Sequence, residues 1–156
     1  MNNQNLQTSY KVTMNKIKTI RIESSDFGWG VLPDSEELHI QKITISNNGR
    51  VWLRYYGLAS YSEKNPCLAQ EYYKVSKATA ESIMTLIEQE FLSTNSCSVE
   101  VTDVPVWVMD INFDDLARVE LSGPVFEGHR DISNKIRRLL GLKNLFLFNL
   151  PEPPTS

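Results

Sequence analysis

The stretch Leu38-His39-Ile40-Gln41-Lys42-Ile43-Thr44-Ile45-Ser46-Asn47-Asn48-Gly49-Arg50-Val51-Trp52-Leu53-Arg54-Tyr55-Tyr56 decides the fold. Two runs rich in Ile, Thr, Val and aromatic residues flank Asn47-Asn48-Gly49. Asparagine and glycine accept the positive φ that tight turns require, so the stretch reads as an antiparallel hairpin over Leu38–Ser46 and Arg50–Tyr56. In the second strand Val51, Leu53 and Tyr55 share one side, while Arg50, Trp52, Arg54 and Tyr56 share the other. One side suits a core, and the other is a decorated surface.

Working outward, Ile17, Ile20 and Ile22 make Lys16–Glu23 a strand with imperfect alternation. Phe27-Gly-Trp-Gly30 and Pro33-Asp-Ser35 end it with turn chemistry. After the hairpin, Gly57–Pro66 reads as a loop and Ala69–Val75 as an edge strand. A helix follows over Lys77–Leu92, with Ser76 as N-cap and Ala80, Ile83, Met84, Ile87 and Phe91 on one face. Ser93-Thr-Asn-Ser96 ends it.

The second half repeats the plan. Trp107, Met109, Ile111 and Phe113 alternate with Val108, Asp110 and Asn112, which predicts a half-buried strand. Asp114-Asp115 turns the chain into a partner strand, Leu116–Leu121. Asp131 is placed to cap a short helix carrying Ile132, Ile136, Leu139 and Leu140, which Gly141 stops. Asn144–Leu150 reads as a last strand. Helices are too few for a βαβ array, so the fold class is α+β. It is a single domain over residues 14–150, mainly an antiparallel sheet of two hairpins with two helices on one face. Residues 1–13 read as a flexible polar arm and 151–156 as a flexible tail.

The bulk properties narrow the function. The chain has 156 residues, 41% hydrophobic and 22% charged, which is ordinary for a globular domain. No run approaches the roughly 18 apolar residues that span a bilayer. Met1–Tyr10 has neither the basic nor the apolar region of a signal peptide, so the expected compartment is the cytoplasm. A net charge of −3 gives no overall attraction for nucleic acid or an anionic membrane. Cys67 and Cys97 stand alone, which fits two small buried hydrophobes better than a disulfide or a zinc site.

The C-terminal third, about residues 105–149, resembles a pattern found in small uncharacterised bacterial proteins. The matching residues are Trp107, Ser122-Gly123, Asp131-Ile-Ser133, Ile136-Arg137, Leu140-Gly141 and Leu145-Phe-Leu-Phe148. They are packing and capping residues, so the resemblance implies a fold and no activity. The chain departs from the pattern at Asp114-Asp115-Leu116, where a glycine is more usual.

Motifs for phosphate cradles, metalloprotease helices and nucleophile elbows are absent from the sequence. Of the two histidines, His39 lies in the first hairpin. His129, in Gly128-His-Arg-Asp131, enters a helix, and with Arg130 and a carboxylate it forms the alternative reading of an enzyme with an unfamiliar site. Asp110, Asp114 and Asp115 read as strand and turn acids rather than a metal cluster. No cofactor or metal is expected, and the balance favours a non-enzymatic role.

Two surfaces remain. One is the aromatic and basic stretch from Trp52 to Tyr73, which holds Trp52, Tyr55, Tyr56, Tyr61, Tyr72 and Tyr73 with Arg50 and Arg54 nearby, because Trp, Tyr and Arg dominate interface hot spots. The other is the acidic hairpin. Glu100–Asp131 holds eight acids against Arg118 and Arg130. Together they predict an interaction or inhibitor-type protein, immunity or anti-defence-like, that binds a protein partner rather than nucleic acid or membrane. Self-pairing into a homodimer and a small-ligand sensor with an aromatic pocket are the other readings.

Overall fold

Alternating apolar residues in six segments build one antiparallel sheet. A computed structural model of the chain describes residues 16–26, 39–57, 66–92 and 105–152. Its strands are β1 (Ile17–Ser25), β2 (Ile40–Ser46), β3 (Arg50–Tyr56), β4 (Cys67–Lys74), β5 (Val106–Phe113) and β6 (Arg118–Pro124). The order across the sheet is β4-β3-β2-β1-β5-β6, with every neighbour antiparallel. The α+β class, the antiparallel sheet and the two hairpins match the sequence reading. The arm at 1–13, the turns at 27–30 and 33–35, Tyr61, the helix stop at 93–96 and Cys97 lie outside the described residues.

The first hairpin turns as its sequence requires. Gly49 has φ 96 and donates its N–H to Ser46 O at 3.0 Å. A Cβ there would stand 2.1 Å from Val75 O, so glycine answers both the backbone angle and the close approach. The second hairpin departs from expectation. Leu116 is in the turn, not the strand, with φ 73 and 91% exposure, and β6 begins at Arg118. Asp115 Oδ1 accepts from Ala117 N at 3.1 Å and closes this longer turn.

One side of the sheet carries Ile20, Ile22, Ile43, Ile45, Val51, Leu53, Trp107, Met109 and Ile111, all buried. Helix α1 (Lys77–Ile87) covers this side with Ile83, Met84 and Ile87. Ser76 caps it, its Oγ accepting from Thr79 N at 3.0 Å. The helix expected over Lys77–Leu92 is α-helical only to Ile87 and ends in a π-helical turn, Glu88–Leu92. Phe91 in that turn packs against Trp107 and Phe148, at ring separations of 5.2 and 4.6 Å.

Helix α2 (Arg130–Leu140) starts differently from the sequence reading. A 3-10 turn over Glu127–His129 runs straight into it, so Asp131 is already in helical backbone and cannot cap. An N-cap needs extended backbone. Asp131 instead sits in the first turn, where its charge suits the helix dipole. The inward stripe is also shifted. Ile132, Ser133, Ile136 and Arg137 are buried, whereas Leu139 is 38% exposed. Gly141, at φ 72, stops the helix as expected, and Leu142 N bonds Arg137 O at 3.0 Å.

Asn144–Leu150 forms no strand. Leu145, Leu147, Phe148 and Asn149 are nevertheless buried, so this irregular segment belongs to the core. Its polar groups are met mostly by side chains. Ser24 Oγ donates to Leu147 O at 2.6 Å, and Gln41 Oε1 accepts from Phe146 N at 2.9 Å. Arg137, 4% exposed, donates from Nε to Leu145 O at 2.8 Å, from Nη1 to Asn149 Oδ1 at 2.9 Å and from Nη2 to Asn149 O at 2.5 Å. Burial lowers its pKa to about 10, so the guanidinium stays charged at neutral pH.

Replacing Arg137 by Leu leaves the buried Leu145 carbonyl and Asn149 Oδ1 without donors and leaves Asn149 O only the Leu147 N–H, which costs about 3 kcal/mol or more of stability. Arg137→Lys recovers only part, because one ammonium cannot copy the planar fork. Urea unfolding of both variants measures this.

Candidate functional site

Both described helices lie over one side of the sheet, which leaves the other side to its own strand residues. Strand alternation sends Arg21 and Glu23 of β1, Lys42 and Thr44 of β2, and Arg50, Trp52, Arg54 and Tyr56 of β3 to this outer side. Gln70, Tyr72 and Lys74 of β4 join them, as do Asp110 of β5 and Arg118 and Glu120 of β6. The aromatic face and the acidic strand pair read from sequence therefore share one surface, at its two ends.

At the β3–β4 end the side chains stack in a row. The Trp52 and Tyr72 rings are parallel within 5° at 5.7 Å. The Arg54 guanidinium lies 4.0 Å over Trp52 and 5.9 Å from Tyr56, and Lys42 Nζ lies 4.8 Å over Tyr56. Trp52 Nε1 donates to Gln70 Oε1 at 3.1 Å and fixes the indole plane. Arg54 Nε and Thr44 Oγ1 are buried beside this row with no hydrogen-bond partner among the described residues. Arg21, Arg50 and Lys74 are exposed around it, and the acid Glu23 is paired with Lys42 at 3.2 Å. Lys42 and Thr44 were not singled out in the sequence, although their alternation with Ile43 and Ile45 marks them as outward-facing.

The β5–β6 end is acidic but partly neutralised. Arg118 Nη2 donates to Asp110 Oδ1 at 2.8 Å and lies 3.4 Å from Glu120 Oε2. Asp114 and Asp115 occupy the hairpin turn and do not converge with Asp110 on a metal site. Among the described residues no cluster of three His, Cys, Asp or Glu could hold a metal ion.

His129 and Arg130 diverge. The imidazole packs among Phe91, Trp107, Phe126 and Phe148, with ring separations of 4.7 to 6.1 Å. Its Nδ1 is buried without a partner among the described residues, and burial holds its pKa below the ordinary histidine value. Arg130 is exposed and stands 3.8 Å from Glu127. A histidine kept neutral inside an aromatic cluster is a packing residue.

Two polar arrangements were not foreseen. His39, 5% exposed, has Nδ1 2.9 Å from Asp26 Oδ1 where β1 and β2 meet at their ends. On the helix side, Glu71 accepts from Tyr55 and Tyr73, at 2.9 Å from Tyr55. The two phenols hold the Glu71 pKa below its usual value. Burial and then the bond to Glu71 raise that of Tyr55, and the bond to Glu71 raises that of Tyr73. Strand alternation puts both Tyr55 and Tyr73 on this side, so neither extends the outer row, although the sequence reading grouped these aromatic residues in one stretch. Cys67, expected to be buried, is exposed because it opens the edge strand β4.

A cleft of about 630 Å³ lies between Gln41, Leu53 and Tyr55 and the segment containing Leu142, Asn144 and Phe146. Both ends of the Gln41 amide are engaged by that segment's backbone, to Asn144 O at 3.4 Å and from Phe146 N at 2.9 Å. The Gln41 amide on its wall is thus committed to the fold, while Lys143 and Glu152 line it as well. Among the described residues no helix is long and apolar enough to cross a membrane. No protein-family model matches the chain, and no curated protein matches it significantly.

Because the folded-state pKa of His129 is depressed, the unfolded chain takes up this proton first as pH falls. Stability is therefore lost on acidification through the ordinary histidine range. His129→Phe, which keeps a ring in the cluster, flattens that dependence relative to the parent. Thermal unfolding across that range compares them.

Proposed function

We propose that the chain is a non-enzymatic interaction domain, of the inhibitor or immunity type, that binds a protein partner through the outer face of its sheet. The observation that carries this reading is the stacked row Tyr72–Trp52–Arg54–Tyr56–Lys42. Rings and guanidinium are held flat by each other and by Gln70, so little side-chain entropy is left to lose on binding. Tyr72 is 70% exposed, and Trp and Arg beside it are the residues most often found at interface hot spots.

The charge around the row selects the partner's chemistry. Arg21, Arg50, Arg54 and Lys74 surround the rings, so the complementary surface is one rich in carboxylates. The unpartnered Arg54 Nε is a donor, and a carboxylate oxygen is its natural acceptor. The Asp110–Glu120 end supplies the opposite sign across the same face. Together the two ends orient a partner as well as attract it.

The test is capture from the native host on immobilised chain, with nuclease treatment as one arm. A nuclease-resistant protein partner, released by moderate salt, is the expected result. Trp52→Ala and Arg54→Glu each lower recovery at least tenfold, whereas Asp114→Asn with Asp115→Asn in the turn leaves it within twofold. Recovery unchanged by either face variant overturns the reading, and a partner that disappears with nuclease replaces it by a nucleic-acid one.

A further inference from the structure

The two edges of the sheet are built differently. In β6, Val125 N donates to Pro105 O at 2.8 Å, which fixes the phase of the ladder. Residues Arg118, Glu120, Ser122 and Pro124 then turn their backbone groups to the free edge. Pro124 has no N–H to offer there, and Arg118 and Glu120 place an ion pair along the strand. Proline and charge are the usual means of keeping an edge from pairing.

Edge β4 has the opposite character. Val75 N donates to Gly49 O at 2.8 Å, so Ala69, Glu71 and Tyr73 face β3 and Gln70, Tyr72 and Lys74 are open at the edge. No proline interrupts Cys67–Lys74, and its residues are exposed apart from half-buried Tyr73. Leu68 at 46% and Tyr72 at 70% are two of the large hydrophobic side chains most exposed among the described residues.

We infer that this edge is the seat of a second copy of the chain, joined by antiparallel β4–β4 pairing with the two-fold axis at Tyr72. The strand's own residues favour that register over those centred on Glu71 and Gln70. An axis at Glu71 sets two carboxylates directly opposite each other, which is unfavourable. An axis at Gln70 requires Leu68 to pair, and there the ladder already slips by one residue between Tyr55 and Tyr56. An axis at Tyr72 uses the regular stretch Ala69–Val75. It opposes Tyr72 with Tyr72, Gln70 with Lys74 and Glu71 with Tyr73, with no like charges facing. It buries the most exposed ring of the strand against its twin and joins the two sheets, doubling the outer face. The inference does not rest on the partner reading above.

Sedimentation velocity from low to high micromolar concentration tests it. The expected result is a dimer that Tyr72→Lys converts to a monomer with unchanged far-ultraviolet circular dichroism. In a Cys67→Ser, Cys97→Ser background, Tyr72→Cys cross-links to a covalent dimer on mild oxidation. The facing Cα atoms of such a pair stand about 5.5 Å apart, within disulfide reach. Glu71→Cys, which faces Tyr73 instead of itself, does not cross-link. A monomer at every concentration overturns the inference. So does a dimer in which Glu71→Cys cross-links and Tyr72→Cys does not.

Discussion

Arg137 brings a charged guanidinium into the interior, where among the described residues no carboxylate hydrogen-bonds to it. Burying an ion is costly, and the cost is offset only when its donors find good acceptors. Here the acceptors are the carbonyls of Leu145 and Asn149 and the Asn149 amide oxygen. An apolar segment that lacks a ladder would otherwise carry unsatisfied carbonyls into the core. The guanidinium and Ser24 donate to carbonyls of the segment, while Ser133 and Gln41 accept from the N–H groups of Asn149 and Phe146. With the segment seated, Leu145, Leu147 and Phe148 complete the layer that both helices pack against.

That layer determines which face of the sheet is available. Phe148 touches Trp107 and Phe91, so strand β5, the turn after α1 and the C-terminal segment converge at one aromatic cluster. His129, half-buried, packs its imidazole against the same cluster. With the helices and the C-terminal segment on one side, the polar alternates of the strands are left on the other. Stacking and cation–π contacts among them hold the outer row in place.

The sheet was legible because alternation and the Asn47-Asn48-Gly49 turn are local signals, and Val51 and Leu53 against Arg50, Trp52 and Arg54 already separate two faces. The fate of Asn144–Leu150 was not. Its apolar run fits a strand, and only tertiary partners such as Arg137 and Ser24, distant along the chain, decide that it runs without a ladder. Arg137 itself reads as a cation favoured by the end of a helix, since nothing local reveals that it points inward. The capping role given to Asp131 failed because the 3-10 turn at Glu127 starts the helical path early. The aromatic residues of the candidate face were visible, but their convergence with Lys42 and Asp110 on one surface depends on strand order. Strand order is fixed by β1 lying between β2 and β5, and periodicity within single strands does not encode it.

Strand order also changes what the net charge means. A total of −3 argues against any attraction for anions when the chain is taken as a whole. The sheet sorts that charge. Glu81 is exposed on α1 and Glu90 on the π-helical turn after it, and Asp110 and Glu120 lie at the β5–β6 end, while Arg21, Arg50 and Lys74 are exposed on the outer side of β1 to β4. At physiological ionic strength a charge is felt over roughly 8 Å, so a docking partner meets the local patch and not the sum. The local patch of rings and cations therefore differs in sign from the chain as a whole. Composition averages over exactly the separation that the fold creates, so the attraction proposed for this face is a property of strand order more than of sequence content.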